Sequence, residues 1–208
     1  MKTTTTLTAL AGTFTPTNAH GYFQSPKGRQ PGDVFRSACG EHAYNMMASD
    51  INGNIQGLQT LTANQANYNP STCHLWKCKG LKYDDNLDNI QTYTAGEEVP
   101  VYFQVVAPHS GVANISVIDL HTNTVIGSPM QKWEEYAMTS TPMKAEWQNF
   151  TITMPTDLGG KCAAKGACAI QMHWDAASVD QTYQSCIDFT MGGSNSSSSK
   201  RSHARDFA

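Results

Sequence analysis

The amino-acid sequence predicts an all-β protein built as an antiparallel β-sandwich with long loops. In the second half of the chain, apolar and polar residues alternate with a period of two, which is typical of strands that bury one face. This alternation covers residues 101–105, 114–117 and 149–154, and turn residues bound each stretch. We expect two further strands at residues 169–174 and 183–190. Several short strands separated by turns favour a sandwich.

The first 19 residues have the features of a secretory signal peptide. A basic start, Met1-Lys2, precedes a weakly apolar stretch over residues 7–14. The small residues Thr17 and Ala19 stand three and one positions before His20, as signal peptidase requires. We therefore expect a signal peptide over residues 1–19, with cleavage before His20, which makes this histidine the first residue of the mature chain.

The cysteines, the sequons and the charge agree with a secreted protein. Six cysteines after a signal-like start indicate three disulfides and an oxidising compartment. Sequons at Asn114 and Asn149 fall on the polar faces of predicted strands, where glycans are tolerated, and a third stands at Asn195. A net charge of −3 without a basic block argues against nucleic acid or an anionic membrane surface as partner. No apolar run is long enough to span a membrane, and we expect a secreted, extracellular monomer.

Two regions lie outside the predicted strands. Residues 34–93 are irregular and rich in Asn, Gln and Gly, with a short helix expected around 41–47. Long loops on a rigid sandwich commonly carry binding surface. Residues 192–208 are rich in serine with almost no apolar content, which predicts a disordered tail. The folded part is therefore one domain over residues 20–191.

The cysteine spacing has two interpretations. Six cysteines allow fifteen disulfide pairings, and sequence alone does not choose among them. The pairs that we predict are Cys73–Cys78, Cys162–Cys168 and Cys39–Cys186. His74 stands inside the first pair, so the alternative is a zinc site that uses cysteines and this histidine. An oxidising compartment favours the disulfides.

His20 is the residue with the most specific chemistry. As the first residue of a chain, a histidine offers its α-amine and its imidazole as two nitrogen ligands, and a second imidazole completes a planar three-nitrogen site that suits copper. His109 stands at the end of the strand expected over residues 99–106. Pro108 and Gly111 confine its backbone to a turn. The histidines that we interpret as surface residues are His42, His121 and His203.

Residues 20–29, His-Gly-Tyr-Phe-Gln-Ser-Pro-Lys-Gly-Arg, resemble the mature amino terminus of the chitin-binding type 4 group of lytic polysaccharide monooxygenases. The sequence Ala107-Pro108-His109 looks like the Ala-x-His motif of the same family. The resemblance implies an immunoglobulin-like or fibronectin-III-like sandwich. It also implies one copper ion per chain, held by the terminal amine, His20 and His109.

Residues 181–188, Gln-Thr-Tyr-Gln-Ser-Cys-Ile-Asp, resemble two patterns of this family, Gln-x-Tyr-x-x-Cys and an aromatic residue five positions before Asp. Both patterns place Tyr183 at the axial position of the copper. Other polar groups orient ligands or handle protons around such a metal. The residues expected in this role are Gln181, Gln171 and His173. We expect Tyr22, in the His-Gly-Tyr motif, to contact substrate.

The resemblance implies a secreted, fungal-type copper enzyme that oxidatively cleaves glycosidic bonds in an insoluble structural polysaccharide, chitin or another cell-wall glycan. Such an enzyme needs an external electron donor as reductant, and oxygen or hydrogen peroxide as co-substrate. No pair of carboxylates poised for acid–base catalysis is evident, which argues against a glycoside hydrolase. Two alternatives stay open: a protein of the same fold that binds copper or chitin without catalysis, and a sandwich that only binds carbohydrate.

Overall fold

The structure of the chain is a computed structural model that describes residues 20–63 and 65–192, with the main chain alone for His20. The predicted signal peptide, the sequon at Asn195 and the predicted tail beyond Gly192 lie outside the described residues. Within the described ranges, no helix combines the length and the apolar character needed to cross a membrane.

Two sheets pack face to face as an immunoglobulin-like β-sandwich. The three-stranded sheet has β3 in its middle, and its strands are β1 (His20–Ser25), β3 (Glu98–Ala107) and β6 (Asn149–Thr153). The five-stranded sheet consists, in spatial order, of β2 (Gln91–Tyr93), β8 (Gln181–Met191), β7 (Cys168–Ala176), β4 (Gly111–Asp119) and β5 (Thr124–Tyr136). Neighbouring strands are antiparallel, except that β2 runs parallel to β8. The predicted sandwich is confirmed.

The alternating stretches form strands as predicted, in β3, β4, β6, β7 and β8. Alternation does not predict β5, because this strand lies at the edge of its sheet and exposes residues on both faces. Adjacent residues such as Glu134 and Glu135 are both exposed. A strand without a continuous buried face lacks the period-two signal.

The region expected to be irregular contains a helical layer, which we define as residues 33–73. Its helices are α1 (Asp33–Cys39), α2 (Glu41–Ser49), α3 (Ile55–Thr62) and α4 (Pro70–Cys73). The sequence prediction of a single short helix over 41–47 finds α2 and misses the other three. Gly40, at φ 91°, separates α1 from α2, and the Asn54 side chain caps α3 by accepting from the Gly57 amide at 2.7 Å. Short 3-10 turns follow elsewhere, at Cys78–Gly80, Leu87–Asn89, Ala145–Trp147 and Ala177–Val179.

The main core lies between the two sheets, and a second one lies inside the helical layer. Successive residues of a strand point to opposite faces. In β7, Met172 and Trp174 are therefore buried in the main core, whereas Gln171 and His173 lie on the outer face of the sheet. The helical layer covers part of this outer face and buries its own apolar cluster, which includes Phe35.

The disulfides join Cys39 to Cys73, Cys78 to Cys186 and Cys162 to Cys168. The predicted Cys162–Cys168 pair is confirmed, and the predicted Cys73–Cys78 and Cys39–Cys186 pairs are wrong. The physical reason is the helical layer, because α4 packs against α1 and brings Cys73 within 4.8 Å of Cys39 between Cα atoms. All six cysteines are oxidised, so the alternative of a zinc site at these positions is also wrong.

The two strand sequons differ in their exposure. Asn149 begins β6 and is exposed, whereas Asn114 of β4 is partly buried and accepts a hydrogen bond from the Ser116 hydroxyl at 2.9 Å. A glycan at Asn149 therefore needs less rearrangement than one at Asn114, and glycosylation of both stays a prediction.

Candidate metal centre

The strand register brings His20 and His109 to the same end of the sandwich. His20 begins β1 and pairs with Ala107, the last residue of β3. His109 follows Ala107 by two residues, in the turn that leads to β4, and it is partly buried. The two histidines expected to bind copper therefore lie at the same end of this sheet, although they are 89 positions apart in the sequence.

The turn that carries His109 is fixed on both of its sides. Gly111 passes so close to β7 that a Cβ atom at this position would lie 2.1 Å from the Asp175 carbonyl oxygen. Only glycine allows this approach. On the other side, the Thr139 amide donates to the Ser110 hydroxyl at 2.9 Å. His109 thus stands on a short segment whose neighbours hold it in place.

Gly21 packs against the rings of Phe103 and Trp174, and Trp174 in turn packs against Tyr183. A Cβ atom at Gly21 would lie 2.6 Å from the Phe103 ring and 3.3 Å from the Trp174 ring, so glycine lets β1 run directly over these rings. The Trp174 and Tyr183 rings are 4.5 Å apart between centroids. Tyr183 therefore lies in the core beneath the start of β1.

Tyr183 is fully buried, and its hydroxyl donates a hydrogen bond to the Gln181 side-chain oxygen. Burial raises the pKa of Tyr183, and a hydrogen bond with the Asn54 side chain lowers it by a smaller amount. The phenol therefore stays protonated at neutral pH. Gln181 begins β8 opposite Ala176, the last residue of β7, and is half-buried. The structure thus places Gln181 and Tyr183 at the same end as the two histidines.

The loop before α3 and the first turn of this helix, residues 50–56, also belong to this end, and the sequence analysis missed them. The Gly21 amide donates to the Asn52 carbonyl at 3.4 Å. Gln56 forms two hydrogen bonds with Thr182 of β8, since its amide nitrogen donates to the hydroxyl at 3.1 Å and its oxygen accepts from the main-chain amide at 2.8 Å. Asn54 followed by Gly57 is a helix-cap signal that could have revealed part of this loop.

A buried lysine forms hydrogen bonds with the main chain of this loop. Lys79 is fully buried, and its ammonium group donates to the carbonyl oxygens of Ile51 at 2.5 Å and Gly53 at 3.1 Å. Burial lowers the pKa of Lys79 to about 7, and the charge of Asp50 opposes this effect. Lys79 follows Cys78, which is bonded to Cys186 of β8, so the loop is connected to the five-stranded sheet.

Gln171 and His173 share one face of β7 as predicted, but that face is turned away from Tyr183. The Gln171 amide lies 3.7 Å from the Cys186 sulfur, and the His173 Nδ1 atom lies 3.2 Å from the Gln184 amide nitrogen. Burial lowers the pKa of His173. Because strand side chains alternate, the sheet itself separates both residues from Tyr183. We leave both out of the proposed site.

Tyr22 is not placed to contact substrate, which corrects the sequence-based expectation. Its side chain is buried, its hydroxyl donates to the Gly28 carbonyl at 2.7 Å, and Gln30 donates to the same hydroxyl. Burial raises the pKa of Tyr22 to about 12. Successive side chains of a strand lie on opposite faces. Phe23 lies in the main core, so Tyr22 lies on the other face, where it packs against the segment that follows β1.

The donor set at this end of the sandwich fits copper. Among the described residues, no cluster of three His, Cys, Asp or Glu side chains could hold a metal ion. In a chain that begins at His20, the terminal amine would be a further nitrogen donor beside the turn of His109. Two imidazoles and an amine form a nitrogen set that suits copper, with the Tyr183 phenol as a weak neighbour at most.

The sequence and the structure were compared with known proteins. The sequence model of a family described as lytic polysaccharide mono-oxygenase, cellulose-degrading, matches residues 20–189. A comparison with curated protein sequences gave no match. Similar solved structures are a lytic polysaccharide monooxygenase from Jonesia denitrificans (12% identity, 83% of this chain and 100% of that chain, TM-score 0.41) and a chitin binding domain from Burkholderia pseudomallei (9%, 84% and 100%, TM-score 0.42). Another is the cellulose active lytic polysaccharide monooxygenase CelS2 in complex with copper (16%, 84% and 100%, TM-score 0.42).

Proposed function

We propose that this chain, which belongs to the lytic polysaccharide monooxygenase family, is a secreted copper-dependent enzyme that cleaves glycosidic bonds of an insoluble cell-wall polysaccharide. The observation that carries this proposal is the pairing of His20 with Ala107, which sets the first residue of β1 beside the turn of His109. Chitin is the first candidate substrate, and other cell-wall glycans, cellulose included, are the next.

The terminal amine, His20 and His109 would hold the copper ion. When bound, copper supplies one-electron redox chemistry, with an external reductant as electron donor and oxygen or hydrogen peroxide as co-substrate. The proposal requires removal of residues 1–19, because an amide nitrogen in a peptide bond does not replace a free amine as a ligand. We propose that the mature enzyme acts as a monomer.

The described side chains would exclude water and control protons near the metal. The buried rings of Phe103 and Trp174 lie against the core side of Gly21 and would keep water from that side of the site. The Tyr183 hydroxyl keeps its proton and directs it to Gln181. The oxygen of the half-buried Gln181 side chain accepts this hydrogen bond, so its amide N–H groups are the donors that remain for a group bound at the site.

The test is product analysis with a chain that begins at His20. The copper-loaded protein is incubated with chitin, cellulose and fungal-wall glucans, with ascorbate and low hydrogen peroxide, and soluble products are analysed by mass spectrometry. We expect oxidised oligosaccharides from at least one polymer and none from His109→Ala. If the wild-type protein binds one copper ion that ascorbate reduces, yet releases no oxidised product from any wall polymer, a copper-binding role without catalysis replaces the proposal.

A further inference from the structure

A cavity lies at the end of the sandwich opposite the candidate metal centre. β4 starts at Gly111, beside the turn of His109, and ends at Asp119. At roughly 3.3 Å per residue, this strand separates its two ends by about 25 Å. The turn after Asp119 lines a cavity of about 460 Å³, which we call the Trp76 cavity. A sugar confined to this cavity would therefore not contact the candidate metal centre.

Trp76 is the exposed member of the four tryptophans of the chain. Trp147 and Trp174 are almost completely buried in the main core, and Trp133 packs against it, whereas 45% of the Trp76 surface is exposed. An indole left in water loses the free energy that burial would provide. Trp76 therefore does not serve the folding core as the other tryptophans do.

The segment that carries Trp76 is short and fixed at both ends. It consists of residues 74–77, bounded by Cys73 and Cys78, which belong to two different disulfides. Leu75 is buried beneath the segment, and the Lys77 ammonium group donates to the Leu120 carbonyl at 3.0 Å. A preorganised aromatic side chain loses little conformational entropy on binding, which favours a role as a binding anchor.

The opposite wall of the cavity is also preorganised. The Asp119 carboxylate accepts hydrogen bonds from the amides of His121 at 2.8 Å and Thr122 at 3.0 Å, and these bonds lower the pKa of Asp119. Asn123 closes the turn in the left-handed region, at φ 57°. The Asp119 carboxylate thus forms its hydrogen bonds within the turn. The side chains of His121 and Asn123 are exposed beside the cavity.

The chemistry of the lining is that of a site for neutral sugars. The aromatic and polar residues of its lining that can contact a sugar include Gln59, Tyr68, His74, Trp76, His121 and Asn123. Lys77 also lines the cavity, and its ammonium group donates to the Leu120 carbonyl. They combine two aromatic rings, which pack against the C–H faces of pyranose rings, with amides and imidazoles that bond hydroxyl groups. Burial and the neighbouring lysines 77 and 82 lower the pKa of His74, so its neutral imidazole can both donate and accept. The volume is in the range of small-ligand sites.

We infer that the Trp76 cavity binds a neutral oligosaccharide segment, as a second carbohydrate site remote from the metal. Stacking on Trp76 supplies the main contact, and the polar side chains around it bond the sugar hydroxyls. Two aromatic rings among polar groups differ from the continuous apolar patch that a protein partner would cover. This inference does not depend on oxidative activity.

The test is calorimetric titration of the copper-loaded protein, without reductant, with cellohexaose and with chitohexaose. We expect binding of at least one of them by the wild-type protein, and an affinity at least about tenfold weaker for Trp76→Ala. Tyr102→Ala is the matched control, because Tyr102 is an exposed aromatic residue of β3 outside the Trp76 cavity. The affinity of Tyr102→Ala should equal that of the wild-type protein, and both Trp76→Ala and Tyr102→Ala should keep the copper spectrum.

Two results would overturn the inference: wild-type protein that binds neither hexasaccharide, or Trp76→Ala that binds as tightly as the wild type. His109→Ala separates this inference from the proposed function. It should lose copper but keep oligosaccharide binding. If the protein binds oligosaccharide through Trp76 but yields no oxidised product, the inference of a second site stands and the proposed oxidative function is wrong.

Discussion

Arg29 and Asp188 form a buried two-point ion pair between the segment after β1 and the last strand. The Arg29 Nε atom lies 2.7 Å from Asp188 Oδ2, and its Nη2 atom lies 2.6 Å from Oδ1. The third nitrogen of the guanidinium group donates to the Leu81 carbonyl at 2.8 Å. This ion pair fixes the segment that follows β1 to β8. The pair therefore helps to hold β1 in its register with β3, in which His20 pairs with Ala107.

We expect Asp188→Asn to destabilise the fold strongly. Removal of one partner leaves the Arg29 charge buried without compensation, which costs about 3–5 kcal/mol of unfolding free energy in comparable cases. Urea denaturation measures the change. Asp33→Asn is the matched control, because Asp33 contacts Arg36 at the surface at 3.6 Å and should contribute little. Equal midpoints for the two variants would show that the buried pair does not anchor the strand.

A single glycine added before His20 should abolish tight copper binding. The extension converts the terminal amine of His20 into an amide and removes one of three nitrogen ligands, so we expect copper(II) affinity to fall at least about tenfold. Isothermal titration calorimetry compares the extended chain with one that begins at His20. Unchanged affinity would place the copper elsewhere, and mass spectrometry of the secreted protein checks which amino terminus occurs naturally.

Tyr183→Phe should leave copper affinity nearly unchanged but lower the yield of oxidised product. The variant loses the hydrogen bond from the phenol to Gln181, which also costs about 1 kcal/mol of unfolding free energy. Tyr93→Phe is the matched control, since the Tyr93 hydroxyl is buried without a hydrogen-bond partner among the described residues. Product yield equal to that of the control would argue against a role for the Tyr183 hydroxyl.

The stability of the protein should depend on pH through Lys79. Burial lowers the pKa of Lys79 to about 7, from 10.5. Between these values the unfolded chain binds a proton that the folded chain lacks, so the free energy of unfolding rises with pH across this window and decreases as pH falls toward 7. The slope from this residue is at most about 1.4 kcal/mol per pH unit.

Urea denaturation at intervals from pH 7 to pH 10 measures this slope. We expect Lys79→Met to show a smaller rise than the wild type, while Lys132→Met, which removes an exposed lysine of β5, keeps the wild-type rise. Parallel curves for the wild type and Lys79→Met would contradict the assigned shift.

The strands of the second half are predictable because each has one buried face, whereas the helical layer is not. Its helices span four to nine residues, and their apolar residues pack mainly against one another. Such short elements depend on tertiary packing more than on local propensity. The two wrong disulfides follow from the same gap, since Cys39 meets Cys73 only once α1 and α4 have packed.

Sequence motifs singled out His20, His109, Gln181 and Tyr183, and the strand register places all of them at one end of the sandwich. Alternation also showed that Gln171 and His173 share a face, but alternation alone does not say which face meets the core. The face that meets the core is set by packing with other strands, since Trp174 of β7 stacks with Tyr183 of β8 inside the sandwich. Lys79 gave no sequence signal, because a lysine is rarely fully buried.

The order of the disulfides along the chain determines how the protein would respond to a protease. A single cut inside the loop closed by Cys39 and Cys73 leaves both fragments covalently joined, and so does a cut inside the loop closed by Cys78 and Cys186. Between residues 39 and 186, only the segment that presents Trp76 lies outside both loops. A chain cut elsewhere in this range would migrate as one species until reduced, whereas a chain cut beside Trp76 would separate into two fragments under denaturing conditions without a reducing agent.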